Sequence, residues 1–191
     1  MQFMLKLVLS VAIAIVIGGG SALLFAERIF QSRMIENGPW RTSLLAGSPQ
    51  ADLYTRAAVA QSGLLALNNS EAIYFIATTD NEGEPLRGRC NYVVTGGSLP
   101  ARWWSVTAYG SDYFLIENAK NRFSFTGREL LGTGGGRFAL SVSALRKPEP
   151  WLPAGERGRF SLLLRLYDPE PAVVERPASA PLPAIEEEGC L

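Results

Sequence analysis

Twenty consecutive residues without a charge, Leu7 to Ala26 (LVLSVAIAIVIGGGSALLFA), constrain this chain more than any other feature. At about 1.5 Å rise per residue, a helix of that length spans about 30 Å, the thickness of a bilayer hydrocarbon core. Lys6 and the α-amine precede the run, and Glu27 and Arg28 close it. A cleaved signal peptide has a shorter apolar region, about 7–15 residues, ending in small residues at the cleavage site. Gly18-Gly19-Gly20-Ser21-Ala22 would suit such a site, but Leu23, Leu24 and Phe25 carry the run past it. The segment 1–26 therefore reads as an uncleaved signal anchor, with the membrane as partner through residues 7–26. A short flank ahead of a long folded domain gives the orientation of a single-pass inner-membrane protein with its C-terminal domain in the periplasm. Arg28, Arg33 and Arg41 on the far side weaken the charge asymmetry behind that orientation.

Residues 27–47 read as a connector, with Gly38-Pro39 breaking any continuing helix. The domain then spans 48–167. Ser48 suits an N-cap, Pro49 the first helical position and Asp52 the first turn. Leu53, Ala57, Ala60, Leu64 and Leu67 recur at helical spacing, and Asn68-Asn69 ends the helix. After Ser70 the pattern changes. Strands are expected at 72–79, 91–95, 102–109, 113–117, 137–143 and 159–167, separated by Gly, Pro, Asn and Asp clusters. In the last of them Phe160, Leu162, Leu164 and Leu166 face one way and Arg159, Ser161, Arg165 and Tyr167 the other, the period of a half-buried strand. Short strands at this spacing, without crossover helices, imply a mostly β fold. The expected architecture is an antiparallel β-sandwich or jelly roll with one flanking helix, preceded by the transmembrane helix.

The 168–191 segment holds six acids, one base and five prolines, and reads as a solvated, extended tail. Cys90 and Cys190 are too few for a disulfide framework. One bridge would pin the tail to the body in an oxidising compartment; a buried thiol at Cys90 is the reading favoured by the terminal position of Cys190.

Several segments resemble a known bacterial family: LYTRAAVAQSGLLAL with SEAIYF; Pro85-Leu86 leading to Asn91-Tyr92; LPARWWSVTAY; Asn118 with Asn121-Arg122; and WLPAG followed by FSLLLRLYDPEP. They are similar, over roughly 48–171, to the family catalogued as domain of unknown function 1214. The resemblance implies a jelly-roll sandwich, found in longer proteins and in short membrane-anchored forms, and implies no activity. The acidic tail departs from the family's usual Trp- and Pro-containing ending.

The sequence contains no histidine, which removes Ser-His-Asp and Cys-His catalysis and every His-ligated metal site. No cofactor or metal is expected. Formal net charge is +0, so nucleic-acid binding has no electrostatic support. Gly132 to Gly136 has no following Lys-Ser/Thr and reads as a loop, not a phosphate cradle. The suggestive constellation is polar and aromatic. Trp103, Ser105, Thr107 and Tyr109 alternate on one strand face, Arg165 and Tyr167 share another, and Asn118, Asn121 and Arg122 sit in a tight loop. Trp103, Ser105, Tyr109, Asn118, Asn121, Arg122, Arg165 and Tyr167 are thus the candidate ligand-binding residues, without an assigned catalytic group. The leading expectation is a membrane-anchored envelope protein that binds a small molecule or an envelope protein. The alternative is a histidine-independent hydrolase or lyase in which Glu71 or Glu117 converges with Arg165 or Tyr109.

Overall fold

The computed structural model describes residues 2–63, 65–132, 136–156 and 158–190, and the side chains of all of these except 22–27 and 29–31. A long helix, α1 (Gln2–Ser32), opens the chain. Its stretch Gln2–Ser21 has a mean hydropathy of 2.2 and is long and apolar enough to cross a membrane, as a signal sequence also is. From Gln2 to Gly20 every side chain is exposed, so the domain covers none of this apolar surface. The helix runs six residues beyond Ala26 before the connector begins.

The connector is not irregular. It holds a hairpin of β1 (Ile35–Asn37) and β2 (Trp40–Thr42), turned at Gly38, whose φ of +59° suits glycine. Helix α2 (Leu53–Gln61) starts later than expected, because Asp52 is the cap. Its carboxylate accepts the Tyr54 and Thr55 backbone N–H groups at 2.9 and 3.1 Å, while Ser48 Oγ accepts only the Gln50 N–H. Leu67 lies past the helix end, and Leu64 lies outside the described residues.

The remaining strands are β3 (Ala72–Ala77), β4 (Cys90–Gly96), β5 (Ala101–Gly110), β6 (Ser124–Thr126), β7 (Phe138–Ser143), β8 (Trp151–Pro153), β9 (Phe160–Pro169) and β10 (Ala184–Cys190). They form two sheets, ordered β1-β2-β3-β9-β5-β6 and β10-β4-β7-β8. Every pairing is antiparallel except β7 with β8, so the second sheet is mixed. One core joins both. Phe75, Val106, Leu162, Leu164 and Leu166 come from the first sheet; Tyr92, Val94, Leu140, Val142, Leu152 and Ile185 come from the second. Each fully buried aliphatic side chain contributes about 2 kcal/mol. The mostly β sandwich expected from the strand periodicity is therefore present, and the helices α3 (Gly127–Leu131) and α4 (Pro171–Glu175) add to the one anticipated.

Two expectations change. The 113–117 segment forms a turn in place of a strand: Tyr113 has φ +66°, and Asp112 Oδ1 accepts the Phe114 N–H at 3.1 Å. A single bridge from Tyr109 to Leu115 closes it. The C-terminal segment is likewise built into the fold. Strand β10 pairs with β4 along its length, Ile185 is fully buried, and Cys190 is bonded to Cys90. Ahead of it Trp40 Nε1 donates to the Pro183 carbonyl at 2.6 Å, and Asn37 Nδ2 donates to the carbonyls of Pro177 and Ala180. Pro171 and Pro177 open short helical turns here, and the acids Glu186 to Glu188 are exposed on an edge strand.

Candidate functional site

Strand pairing builds the site. Register places Tyr74, Arg165, Ser105 and Thr126 in one row across β3, β9, β5 and β6. The next rows hold Trp103 beside Tyr167, Thr107 beside Leu163, and Tyr109 beside Ser161. Because side chains alternate, these residues occupy the outer face of the first sheet while Trp104, Val106 and Ala108 fill the core. The alternation read from the sequence thus holds on both strands. Tyr74 Oη accepts the Leu67 N–H at 3.0 Å, which fastens the segment after α2 to this face.

Arg165 is half-buried. Its Nη1 donates to Thr107 Oγ1 at 3.0 Å and its Nη2 to Tyr109 Oη at 2.7 Å. The guanidinium also lies 5.6 Å from the Tyr109 ring centroid. Among the described residues no carboxylate pairs with it. A half-buried guanidinium held by two hydroxyls and by no described carboxylate has further N–H donors to offer, a combination that favours a bound anion. One strand row from Arg165, on the side away from Thr107 and Tyr109, Trp103 and Tyr167 meet edge to face at 5.1 Å, with Trp103 43% exposed.

The loop expected to join this group does different work. Asn118 Nδ2 donates to the carbonyls of Ile116 and Arg122, and its Oδ1 accepts the N–H groups of Lys120 and Arg122. Asn121 takes φ +49°, a left-handed conformation that asparagine tolerates, to close the turn. Arg122 pairs with Glu149 and covers the Phe125 ring. Asn118 and Arg122 thus hold loop backbone and a clamp to the 149–151 segment, and Asn121 contributes its backbone turn. The reason is chemical: a loop that turns this tightly needs its carbonyls and amides capped from within.

Glu149 is the hub of that clamp. Its carboxylate takes Lys120 Nζ at 2.6 Å, Arg122 Nη1 and the Trp151 N–H at 3.1 Å. The Lys120 hydrogen bond, then the Trp151 N–H, hold its pKa down at about 2. A depressed carboxylate contributes stability above its unfolded value, near 4.5, and loses it as pH falls through the folded value. The clamp is accordingly expected to persist at pH 4 and to open only near pH 2. A titration of the Glu149 carboxyl carbon by NMR checks this; a midpoint at 4 or above would contradict it.

Glu71 and Glu117 do not meet Arg165 in an ion pair. Glu117 instead lines an open cleft of about 790 Å³ with Asp112, Phe114 and Arg159, so the acid–base constellation of the hydrolase alternative is not assembled around Arg165. A further open cleft, about 440 Å³, is lined by Arg87, Arg89, Glu156, Gly158 and Arg159. Sequence reasoning missed it, although Arg-Gly-Arg occurs twice, at 87–89 and 157–159. The glycine loop at 132–136 lies largely outside the described residues, with Thr133, Gly134 and Gly135 among them.

The profile of a protein family of unknown function, DUF1214, matches residues 71–171, more than half of the chain and everything from β3 to the start of α4. The chain belongs to the DUF1214 family. No curated protein matches it. Among solved structures, a protein from Vibrio parahaemolyticus is similar to this DUF1214 chain, 26% identical, with a TM-score of 0.60 over 73% of this chain and 36% of its own. An uncharacterized protein from Burkholderia cenocepacia is 15% identical, with a TM-score of 0.46 over 93% of this chain and 52% of its own. This DUF1214 chain thus spans about a third to a half of the length of the solved structures it matches, and family membership brings a fold without an activity.

Proposed function

We propose that this protein is a membrane-anchored, non-catalytic β-sandwich that binds a small carboxylate-bearing ligand on the outer face around Arg165. The observation that carries the reading is the Arg165 guanidinium, half-buried, held by Thr107 and Tyr109 hydroxyls and unpaired by any described carboxylate. Trp103 and Tyr167, one row from Arg165, supply an apolar surface for the body of the ligand, and Ser105 shares the Arg165 row. In this reading α1 anchors the chain in the inner membrane and the domain lies in the periplasm. Two observations support that placement: the apolar length of α1 and the Cys90–Cys190 bridge, which persists in oxidising compartments.

Thermal shift of the full chain in detergent, against acetate, succinate, benzoate and neutral sugars, tests the proposal. A ligand at one hundred times its Kd adds about 2.7 kcal/mol of stability. For a chain of this size that is a rise of about 5–10 °C in Tm. The shift is expected for at least one carboxylate, not for the sugars, and is expected to vanish in Arg165→Ala. Absence of any carboxylate shift, or an equal shift in Arg165→Ala, would remove the proposal.

A further inference from the structure

We infer that the cleft lined by Arg87, Arg89 and Arg159 is a separate site for a phosphate-monoester dianion. Residues 87–88 and 158–159 face each other: Arg87 bridges Arg159, the Gly88 N–H donates to the Gly158 carbonyl at 3.0 Å, and the Phe160 N–H donates to the Leu86 carbonyl at 3.2 Å. The first segment is held rigidly. Tyr92 Oη accepts the Arg87 N–H at 2.9 Å, the Cys90 N–H donates to the Arg87 carbonyl at 3.0 Å, and Cys90 is covalently tied to β10. Arg87, Arg89 and Arg159 then line one cleft with a single carboxylate, Glu156. None of the three guanidiniums forms an ion pair among the described residues, although Asp112 and Glu117 line the neighbouring cleft that Arg159 shares.

Gathering three like charges around one cleft costs energy that a bound anion removes. Among the described lining residues, three guanidiniums against Glu156 leave two positive charges in excess. A carboxylate brings one charge and two oxygens; a phosphate monoester brings about two charges and three oxygens, and so matches both the excess and the number of guanidinium forks. The same chemistry occurs in soluble phosphate esters and in the headgroup of phosphatidic acid. The site is independent of the Arg165 face, and each can fail without the other.

Titration calorimetry on the full chain in detergent micelles tests this inference, with glycerol 3-phosphate as the soluble probe and dioctanoyl phosphatidic acid as the lipid probe. Saturable one-site binding is expected, weakened at least about tenfold by Arg87→Ala or Arg159→Ala, as loss of a charge-assisted hydrogen bond requires. Glu156→Gln is expected to tighten binding a few-fold, and Arg165→Ala to leave it unchanged. Arg89 and Arg159 are exposed, so Arg89→Ala and Arg159→Ala are expected to melt like the parent chain and to separate binding from folding. Tighter binding of the lipid identifies a headgroup site; equal binding identifies a soluble phosphate ester. No saturable binding of either probe, or arginine variants that bind like the parent, would overturn the inference.

Discussion

Cys190→Ser is expected to lower the stability of the domain by about 4 kcal/mol. The bridge from Cys90 to Cys190 closes a loop of 100 residues. Constraining an unfolded chain over that length is worth up to about 4.7 kcal/mol in the chain-entropy model. The native contribution is local as well: β10 is the edge strand of the second sheet, with Ile185 as its fully buried residue and three exposed glutamates beside it. A strand with so little apolar burial relies on its covalent tie and on its ladder with β4. At about 2–4 °C per kcal/mol, Tm should fall by about 10–15 °C. Thermal unfolding of the oxidised chain, the reduced chain and Cys190→Ser checks this. The last two should coincide; a reduced chain that melts with the oxidised one would contradict it.

Trp40→Ala is expected to cost about 4 kcal/mol and to act on the same part of the molecule. Trp40 is fully buried in β2, opposite Ala77 of β3, and its indole N–H donates to the Pro183 carbonyl just before β10. Truncating a buried tryptophan costs about 3–5 kcal/mol through lost burial and the cavity left behind. The orphaned Pro183 carbonyl adds to that. Trp40→Phe keeps most of the ring and loses the donor, so it should cost only about 1–2 kcal/mol. Because Trp40 and the disulfide hold adjoining parts of one segment, Trp40→Ala combined with Cys190→Ser should deviate from additivity. Chemical denaturation of the four chains measures the deviation; strict additivity would show that the two act on separate units.

The residues explain what was legible in the sequence. Apart from Trp103 and Leu163 on the outer face, strands β5 and β9 alternate apolar and polar side chains, and register preserves that alternation, so the core face and the face carrying Trp103, Tyr109, Arg165 and Tyr167 could both be read. Arg165 reaching Thr107 and Tyr109 could not, because it depends on which strand lies beside β9. The C-terminal segment misled for a related reason. An edge strand with one inward residue, Ile185, and charged outward residues has the composition of a solvated tail. The short strands β1, β2, β6 and β8 have three residues each, too few to show a period. The arginine cleft is built from turns, where no periodicity exists and only the repeated Arg-Gly-Arg offered a signal.

The proposal stands on Arg165, half-buried, held by the Thr107 and Tyr109 hydroxyls and paired with no described carboxylate. Nitrogen NMR of the arginine guanidiniums, with the Trp103 indole as a neighbouring probe, tests it directly during titration of the full chain with benzoate. The account predicts a saturable shift at Arg165, accompanied by the Trp103 indole and lost on Thr107→Val with Tyr109→Phe if these hydroxyls orient the guanidinium. Arginine shifts that are equal at exposed positions and at Arg165, and that do not saturate, would contradict it.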